Sequence, residues 1–194
     1  MTMASGKSLI DFRTPAAGFD QPLELWLACH ERVQRMIGLL ERLTDHLRVH
    51  GADESARVTA SSIRRYFDEA APRHHDDEEI DLFPRLRAKV AGAKAERIDH
   101  AIASLQADHG ELHAIWAQLR VAVEAIERGE PANVDAAAAA VFVARYRTHI
   151  ALEEDVIAPA LRHALDAGAL AEIGRAMAAR RGVRWEDLSA ARGQ

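Results

Sequence analysis

The sequence contains few of the residues on which several common kinds of site depend. Cys29 is the only cysteine in 194 residues, which excludes an internal disulfide and a metal site built from several thiolates. Aromatic residues make up only 5% of the chain although 48% of it is hydrophobic. Long stretches are rich in alanine, leucine, arginine and glutamate. This balance favours an all-α protein over one built from β-sheet.

Excess charge and long apolar runs are also missing. The formal net charge is −5, with acidic and basic residues interspersed, so we expect no nucleic-acid partner. No segment approaches roughly 18 consecutive apolar residues, and the first residues lack a signal-type apolar stretch, so we expect no membrane span. The expectation is a cytoplasmic protein with one main domain.

Apolar residues recur three and four positions apart in four long segments, which predicts four helices. Their predicted bounds are about Leu23 to His50 before Gly51, Asp53 to Val90, Ala93 to Arg128, and Asn133 or Asp135 to Asp166. Short connections predict an up-down-up-down four-helix bundle over residues 20–166. Residues 1–19 are expected to form an irregular arm. Residues 167–194 should form a short helix, from about Leu170 to Arg180, and a tail in which Trp185 folds back on the bundle.

Pro72 interrupts the pattern of the second helix. A proline inside a helix removes one hydrogen bond and crowds the preceding turn. The sequence therefore predicts either a kink, which would direct His74 inward, or a break between two helices.

Histidine is abundant, and part of it follows a repeat. The segment HHDDEEIDLFP, which begins at His74, returns 75 residues later as HIALEEDVIAP, which begins at His149. A lone histidine precedes each copy. The repeated set is His30, then His74 with Glu78, then His109, then His149 with Glu153.

The spacing within the repeat indicates a metal site. Residues four apart lie on one face of a helix, so the imidazole and the carboxylate of each copy point the same way. Two carboxylates and four imidazoles directed into a bundle core would cost several kcal/mol each without compensation. A bound metal supplies that compensation, whereas a metal-free bundle is the alternative.

Helical phase separates the inner residues from the others. Four histidines are predicted to lie on the surface or at helix ends: His46, His50, His100 and His163. His113 follows His109 by one turn and could be a fifth imidazole ligand or only a hydrogen-bonding group. His75 and Glu79 lie out of phase with the repeat, which favours His74 and Glu78. Three aspartates are predicted to lie on a solvated face: Asp76, Asp77 and Asp81. Three further acids are predicted to lie on the surface or to support the ligands from outside: Glu31, Glu154 and Asp155.

Imidazoles and carboxylates suit iron or manganese, and suit zinc less well. Six or seven side chains exceed the needs of one ion, so two ions bridged by Glu78 and Glu153 are expected. If both ions are six-coordinate and share a bridging oxygen, one position stays open, or two if His113 is not a ligand.

These residues resemble the hemerythrin-like proteins of the HHE cation-binding family, over about residues 22–165. The resemblance implies a four-helix bundle around a non-haem di-iron centre with an oxo or hydroxo bridge. The implied ligands are His30, His74, Glu78, His109, His113, His149 and Glu153. The His109-x-x-x-His113 pair resembles the oxygen-carrying branch, whereas the carboxylate of Glu153 at i+4 resembles the broader family. Glu154 is the alternative carboxylate at i+5.

The function expected from this resemblance is binding of O₂, or of a related small ligand such as NO, for sensing, storage or stress response. A sensor of this length would need a separate protein partner. The alternative is a di-iron enzyme that acts on peroxide or nitric oxide, or a donor of iron to damaged iron–sulfur clusters. A ferritin-like oxidase is disfavoured because no histidine has glutamate three residues before it.

Overall fold

The structure is a computed structural model that describes residues 17–186. Within this range the backbone forms five helical runs and no strands, which confirms the predicted all-α fold. The runs are α1 (Pro22–His50), α2 (residues 54–89), α3 (Ala93–Glu127), α4 (residues 136–164) and α5 (Ala167–Arg180). The predicted helix bounds are confirmed to within about three residues. Most of the predicted irregular arm, residues 1–16, and the end of the tail, residues 187–194, lie outside the described residues.

Side chains at the helix starts explain where the helices begin. Asp53, Asp135 and Asp166 precede α2, α4 and α5, and each accepts a hydrogen bond from a backbone N–H of the first turn. Pro22 occupies the first position of α1, where its missing N–H costs nothing. Gly51 and Gly92 have positive φ values of 67° and 61°, which lets the chain turn between helices.

The first four helices form a closed bundle. α1 packs against α2 and α4, and α3 also packs against α2 and α4. Because consecutive helices are neighbours joined by short connections, the bundle is up-down-up-down. α5 lies across α1 and the middle of α2. None of the helices described is both long and apolar enough to cross a membrane.

The helical backbone continues through Pro72, so the predicted break into two helices is wrong. It continues because three wider, π-type turns precede the three internal prolines of α2 and α4: Tyr66–Ala70, Asp77–Leu82 and Glu153–Ile157. In each case the residue before the proline donates to the carbonyl five residues back, as Phe83 does to Glu78. The extra residue per turn accommodates the proline ring, which lacks the N–H of a regular turn.

Two hydrophobic clusters fill the bundle, one on each side of a polar layer. Each of the four helices passes from one cluster to the other. On α1, for example, Trp26 belongs to one cluster and Val33 to the other, with His30 between them. On α3, His109 lies between Leu105 and Leu112 in the same way. The repeated histidines and glutamates are therefore enclosed by apolar side chains at both ends.

The C-terminal helix is part of this packing. Ile173 and Met177 of α5 are fully buried in one of the two clusters. Gly174 allows a close approach of the chain before α1, because a Cβ there would lie 2.0 Å from the carbonyl oxygen of Phe19. Trp185 folds back on α5, with the Arg175 guanidinium 5.9 Å from its ring centre.

Asp77 and Asp81 do not lie on a solvated face, so that prediction is wrong for these two residues. Both are buried, while Asp76 is exposed as predicted. Arg180 of α5 pairs with both carboxylates, at 2.7 Å to Asp81, and Arg181 adds a 2.5 Å contact to Asp77. The acids are buried because α5 brings two guanidinium groups over them. Sequence phase within α2 alone cannot reveal a partner about 100 residues away.

Candidate metal centre

The polar layer brings together the six residues of the repeat. The side chains of His30, His74, Glu78, His109, His149 and Glu153 meet there, one or two from each helix of the bundle. Each of the six residues is exposed by 3% or less. Such burial of two carboxylates among imidazoles is uncommon unless a compensating charge is present.

The six side chains divide into two halves that share both carboxylates. In one half, the Nε2 atom of His74 lies 3.0 Å from Glu78 Oε1, and that of His30 lies 3.3 Å from Glu153 Oε2. In the other half, His109 Nε2 lies 3.1 Å from Glu78 Oε2, and His149 Nε2 lies 3.5 Å from Glu153 Oε1. Each glutamate therefore directs one oxygen to each half.

These separations match those between neighbouring ligands of one ion. Two ligand atoms that each lie about 2.1 Å from a metal, at a right angle, are about 3.0 Å apart. The possible ligand atoms of each half, with those of both glutamates, lie within 4.8 Å of one another. The arrangement thus has the dimensions of two metal positions.

Several buried polar atoms have no hydrogen-bond partner among the described residues. They are Nε2 of His30 and His75, Nδ1 of His74 and His149, Oε2 of Glu78, and both carboxylate oxygens of Glu153, besides Nε of Arg145. An unsatisfied buried polar group costs about 1–3 kcal/mol. Among them, Nε2 of His30 and the three carboxylate oxygens lie between the facing ligand atoms of the two halves, so a cation that accepts their lone pairs fits the site.

The outer nitrogen of three imidazoles faces a carboxylate. With Nδ1 protonated, His109 donates to Glu79 at 2.6 Å, and His30 donates to Glu154 at 3.0 Å. His149 Nδ1 lies 3.6 Å from Asp108. Partners of this kind fix the tautomer and the ring orientation, so that Nε2 faces the interior. Glu154 therefore has an outer role here, while Glu31 and Asp155 are exposed as predicted.

The two glutamates differ electrostatically although their positions are equivalent in the repeat. Burial and the neighbouring carboxylate of Glu78 raise the pKa of Glu153 well above its usual value. Burial also acts to raise the pKa of Glu78, but the charge of His74 and the adjacent His109 hold it well below its usual value. Trp26 Nε1 donates to Glu78 at 2.6 Å as well. Of the two carboxyl groups, Glu153 therefore has the stronger tendency to hold a proton.

Three other imidazoles are held neutral. Burial lowers the pKa of His149 to about 4, and it also lowers the pKa of His30, together with the charge of His74. Burial and the adjacent His109 lower the pKa of His75 well below its usual value. A neutral imidazole has a free lone pair, which is the form that binds metals.

The structure does not bring His113 to the two carboxylates. His113 is exposed, and its Nε2 lies 3.2 Å from Nδ1 of His75. His75 itself is only 3% exposed and forms a possible ligand group with His109 and His149. A ligand role for His113 stays a prediction. The buried residue that His113 contacts is His75.

Sequence reasoning did not identify several groups that surround the layer. Trp26 belongs to the apolar pattern of the first helix, which does not show that its buried indole N–H donates to Glu78. Glu79 and Asp108 reach their imidazoles from other helices, so spacing along one helix could not indicate them. The interpretation of the remaining histidines holds, because His50, His100 and His163 are exposed and His46 lies near a helix end, 2.9 Å from Asp53.

Comparison with known proteins agrees with this geometry. The family model described as the hemerythrin HHE cation binding domain matches residues 21–161, which include all six residues of the layer. A protein of Haemophilus influenzae, named only as an uncharacterized protein, is 38% identical over 168 residues. That alignment covers 87% of this chain and 94% of the relative. The chain therefore belongs to the hemerythrin HHE cation-binding domain family.

Proposed function

We propose that this protein binds two iron ions in the polar layer and uses them to bind O₂ or a related small ligand such as NO. One ion would be held by His30 and His74, and the other by His109 and His149. Glu78 and Glu153 would bridge the two. The observation that carries the proposal is that each glutamate directs one oxygen to each pair of imidazoles.

The kind of metal follows from the donor atoms. The six side chains offer nitrogen and oxygen but no sulfur, and the only cysteine, Cys29, is buried and unpaired in the first turns of α1. Imidazole together with carboxylate suits iron, and shared carboxylates keep two ions close to each other. The iron centre would supply reversible one-electron chemistry and a position for a small ligand.

The kind of ligand follows from burial. The six residues are exposed by 3% or less, and hydrophobic clusters close the layer on both sides. A substrate with several heavy atoms would have to displace core side chains, whereas a diatomic molecule needs only small motions of them. The protein's own residues would orient the imidazoles, exclude water and hold the two carboxylates in place.

The proposal is tested on protein that is loaded with iron under an oxygen-free atmosphere and is then exposed to O₂. We expect an absorption band that appears with O₂ and disappears when O₂ is removed. A protein that is oxidised once and does not reverse would contradict reversible binding. His163→Gln, at an exposed position outside the layer, is the matched control and should behave as the parent protein does.

A second candidate is a di-iron enzyme that acts on peroxide or nitric oxide, or a donor of iron for the repair of iron–sulfur clusters. The position of His113 favours it, because a set of four imidazoles leaves one open position on each ion. Turnover of peroxide or nitric oxide by the iron-loaded protein, or transfer of its iron to an apo iron–sulfur protein, would support this candidate. The absence of all three would remove it.

A further inference from the structure

Trp26 contacts one of the two glutamates of the polar layer. It is 1% exposed, and its Nε1–H donates to Oε1 of Glu78 over 2.6 Å. Its ring also meets that of His30 edge-on, with 4.8 Å between the ring centres. An indole N–H can only donate, so a buried one needs an acceptor such as this carboxylate. Trp26 therefore holds two groups in the half of the layer that contains His30 and His74.

The equivalent position of the repeat lacks this donor. Trp26 precedes His30 by four residues, and Leu105 precedes His109 by four residues. Leu105 is fully buried, and its side chain has no polar atom with which to donate a hydrogen bond. Neither oxygen of Glu153 has a hydrogen-bond partner among the described residues. The two glutamates are thus equivalent in the repeat but differ in their contact with an indole N–H.

The contact leaves the same oxygen free to bind a metal. A carboxylate oxygen has two lone pairs, and Trp26 uses one of those on Oε1 of Glu78. The other is available on the side of His74, whose Nε2 lies 3.0 Å away. A hydrogen bond to a ligand oxygen withdraws electron density, so the oxygen donates less strongly to an ion. A weaker donor destabilises iron(III) more than iron(II), because the ion of higher charge gains more from the donated electrons.

The outer partners of the imidazoles add to this difference between the halves. Nδ1 of His109 faces Glu79 at 2.6 Å, and Nδ1 of His149 faces Asp108 at 3.6 Å. In the other half one imidazole has such a partner, while Nδ1 of His74 has none among the described residues. A carboxylate beside the outer nitrogen makes an imidazole a stronger donor. These contacts favour iron(III) on the side of His109 and iron(II) on the side of His74.

We propose that Trp26 is a positioning residue that makes the two metal positions unequal, because its hydrogen bond to Glu78 stabilises iron(II) at the position beside His74. This inference rests on the proposed di-iron function. When the iron(II) protein is oxidised, the ion on the side of His109 loses its electron first, and the ion beside His74 loses its electron second. Each step removes one electron from one ion and passes it to the added oxidant.

The test is a redox titration of the iron-loaded protein without oxygen, in which electron paramagnetic resonance follows the mixed-valent state. Trp26→Phe keeps an aromatic ring and removes the N–H. We expect the second one-electron step to move to a lower potential by at least the equivalent of a tenfold change in its equilibrium constant, about 59 mV. The first step should stay where it is in the parent protein. A defect in packing alone would not move the second step selectively.

Trp116→Phe is the matched control. Trp116 is 7% exposed, and its Nε1–H donates to Asp68 over 2.9 Å, but it lies in the hydrophobic cluster on the other side of the layer from Trp26. This variant loses the same kind of hydrogen bond away from the two glutamates, so both steps should keep their potentials. Equal shifts in Trp116→Phe and Trp26→Phe would overturn the proposal, and so would unchanged potentials in Trp26→Phe.

A second measurement uses the parent protein alone, so it does not depend on the folding of a variant. Iron(II) is added to ¹⁵N-labelled protein without oxygen, and the indole N–H signals are recorded. The signal of Trp26 should shift further than that of Trp116, because the oxygen that accepts its hydrogen bond becomes a ligand. A smaller shift for Trp26 in protein that binds two irons would overturn this inference alone. Parent protein that binds no iron would contradict the proposed function and this inference with it.

Discussion

Replacing Arg180 by methionine should destabilise the protein by about 2–3 kcal/mol. Arg180 contacts Asp77 and Asp81, whose side chains are 2% and 6% exposed. Breaking a buried ion pair by removing one partner costs about 3–5 kcal/mol. Each aspartate keeps another arginine, Asp77 at Arg181 and Asp81 at Arg85, so we expect a value below that range. Methionine keeps the length of the side chain while removing its charge.

The measurement is urea unfolding of the metal-free protein, followed by circular dichroism. In thermal unfolding of the same protein, a loss of 2–3 kcal/mol would lower the midpoint temperature by about 4–12 °C for a chain of this size. Arg48→Met is the matched control, because Arg48 and its partner Asp45 are 72% and 76% exposed. That exposed pair should contribute less than about 1 kcal/mol. If Arg180→Met and Arg48→Met unfold at the same urea concentration, α5 is not held to α2 by these ion pairs.

Two further predictions concern packing and the outer shell of the site. Gly174→Ala should destabilise the protein by about 1–3 kcal/mol in thermal unfolding, because the new Cβ would meet the Phe19 carbonyl. Gly110→Ala, where a Cβ meets nothing within 4 Å, should instead stabilise the protein by about 0.5–1 kcal/mol. Equal effects of the two changes would refute this reasoning. Glu79→Ala should weaken iron(II) binding by about 10–100-fold in a competitive chelator titration, since Glu79 holds the outer nitrogen of the inner imidazole on α3. Glu69→Ala, at an exposed position of the same helix, should leave the affinity unchanged. Unchanged affinity in Glu79→Ala would show that its contact with His109 is dispensable.

The fold could be predicted from the sequence because its signals are local. The helix starts follow from Asp53 and Asp135, whose side chains cap the first turn of their own helices. The sequence predicts a kink or a break at Pro72, whereas the backbone adds a wider turn before this proline and continues. Local sequence identifies the strain that a proline introduces, but the packing of the bundle decides how the strain is relieved.

The inner residues of the site could be predicted for a related reason. His74 and Glu78 are one turn apart on the same helix, and the repeat supplies the matching pair on α4. The places of His75 and Asp77 could not be obtained this way. His75 lies in a short α-helical stretch between two π-type turns, so an ideal helical phase along the whole helix does not give its direction. Asp77 is buried only because α5 returns over α2.

The central claim is that Glu78 and Glu153 join two iron ions in one site. Its most direct test is a titration of metal-free protein with iron(II), without oxygen, in the parent protein and in Glu153→Ala, with iron per chain measured after removal of unbound metal. The account predicts about two irons per parent chain, bound cooperatively, and at most one in Glu153→Ala, because each half of the layer loses an oxygen ligand. A parent chain that saturates at one iron or at none would contradict the claim, and so would a variant that still binds two.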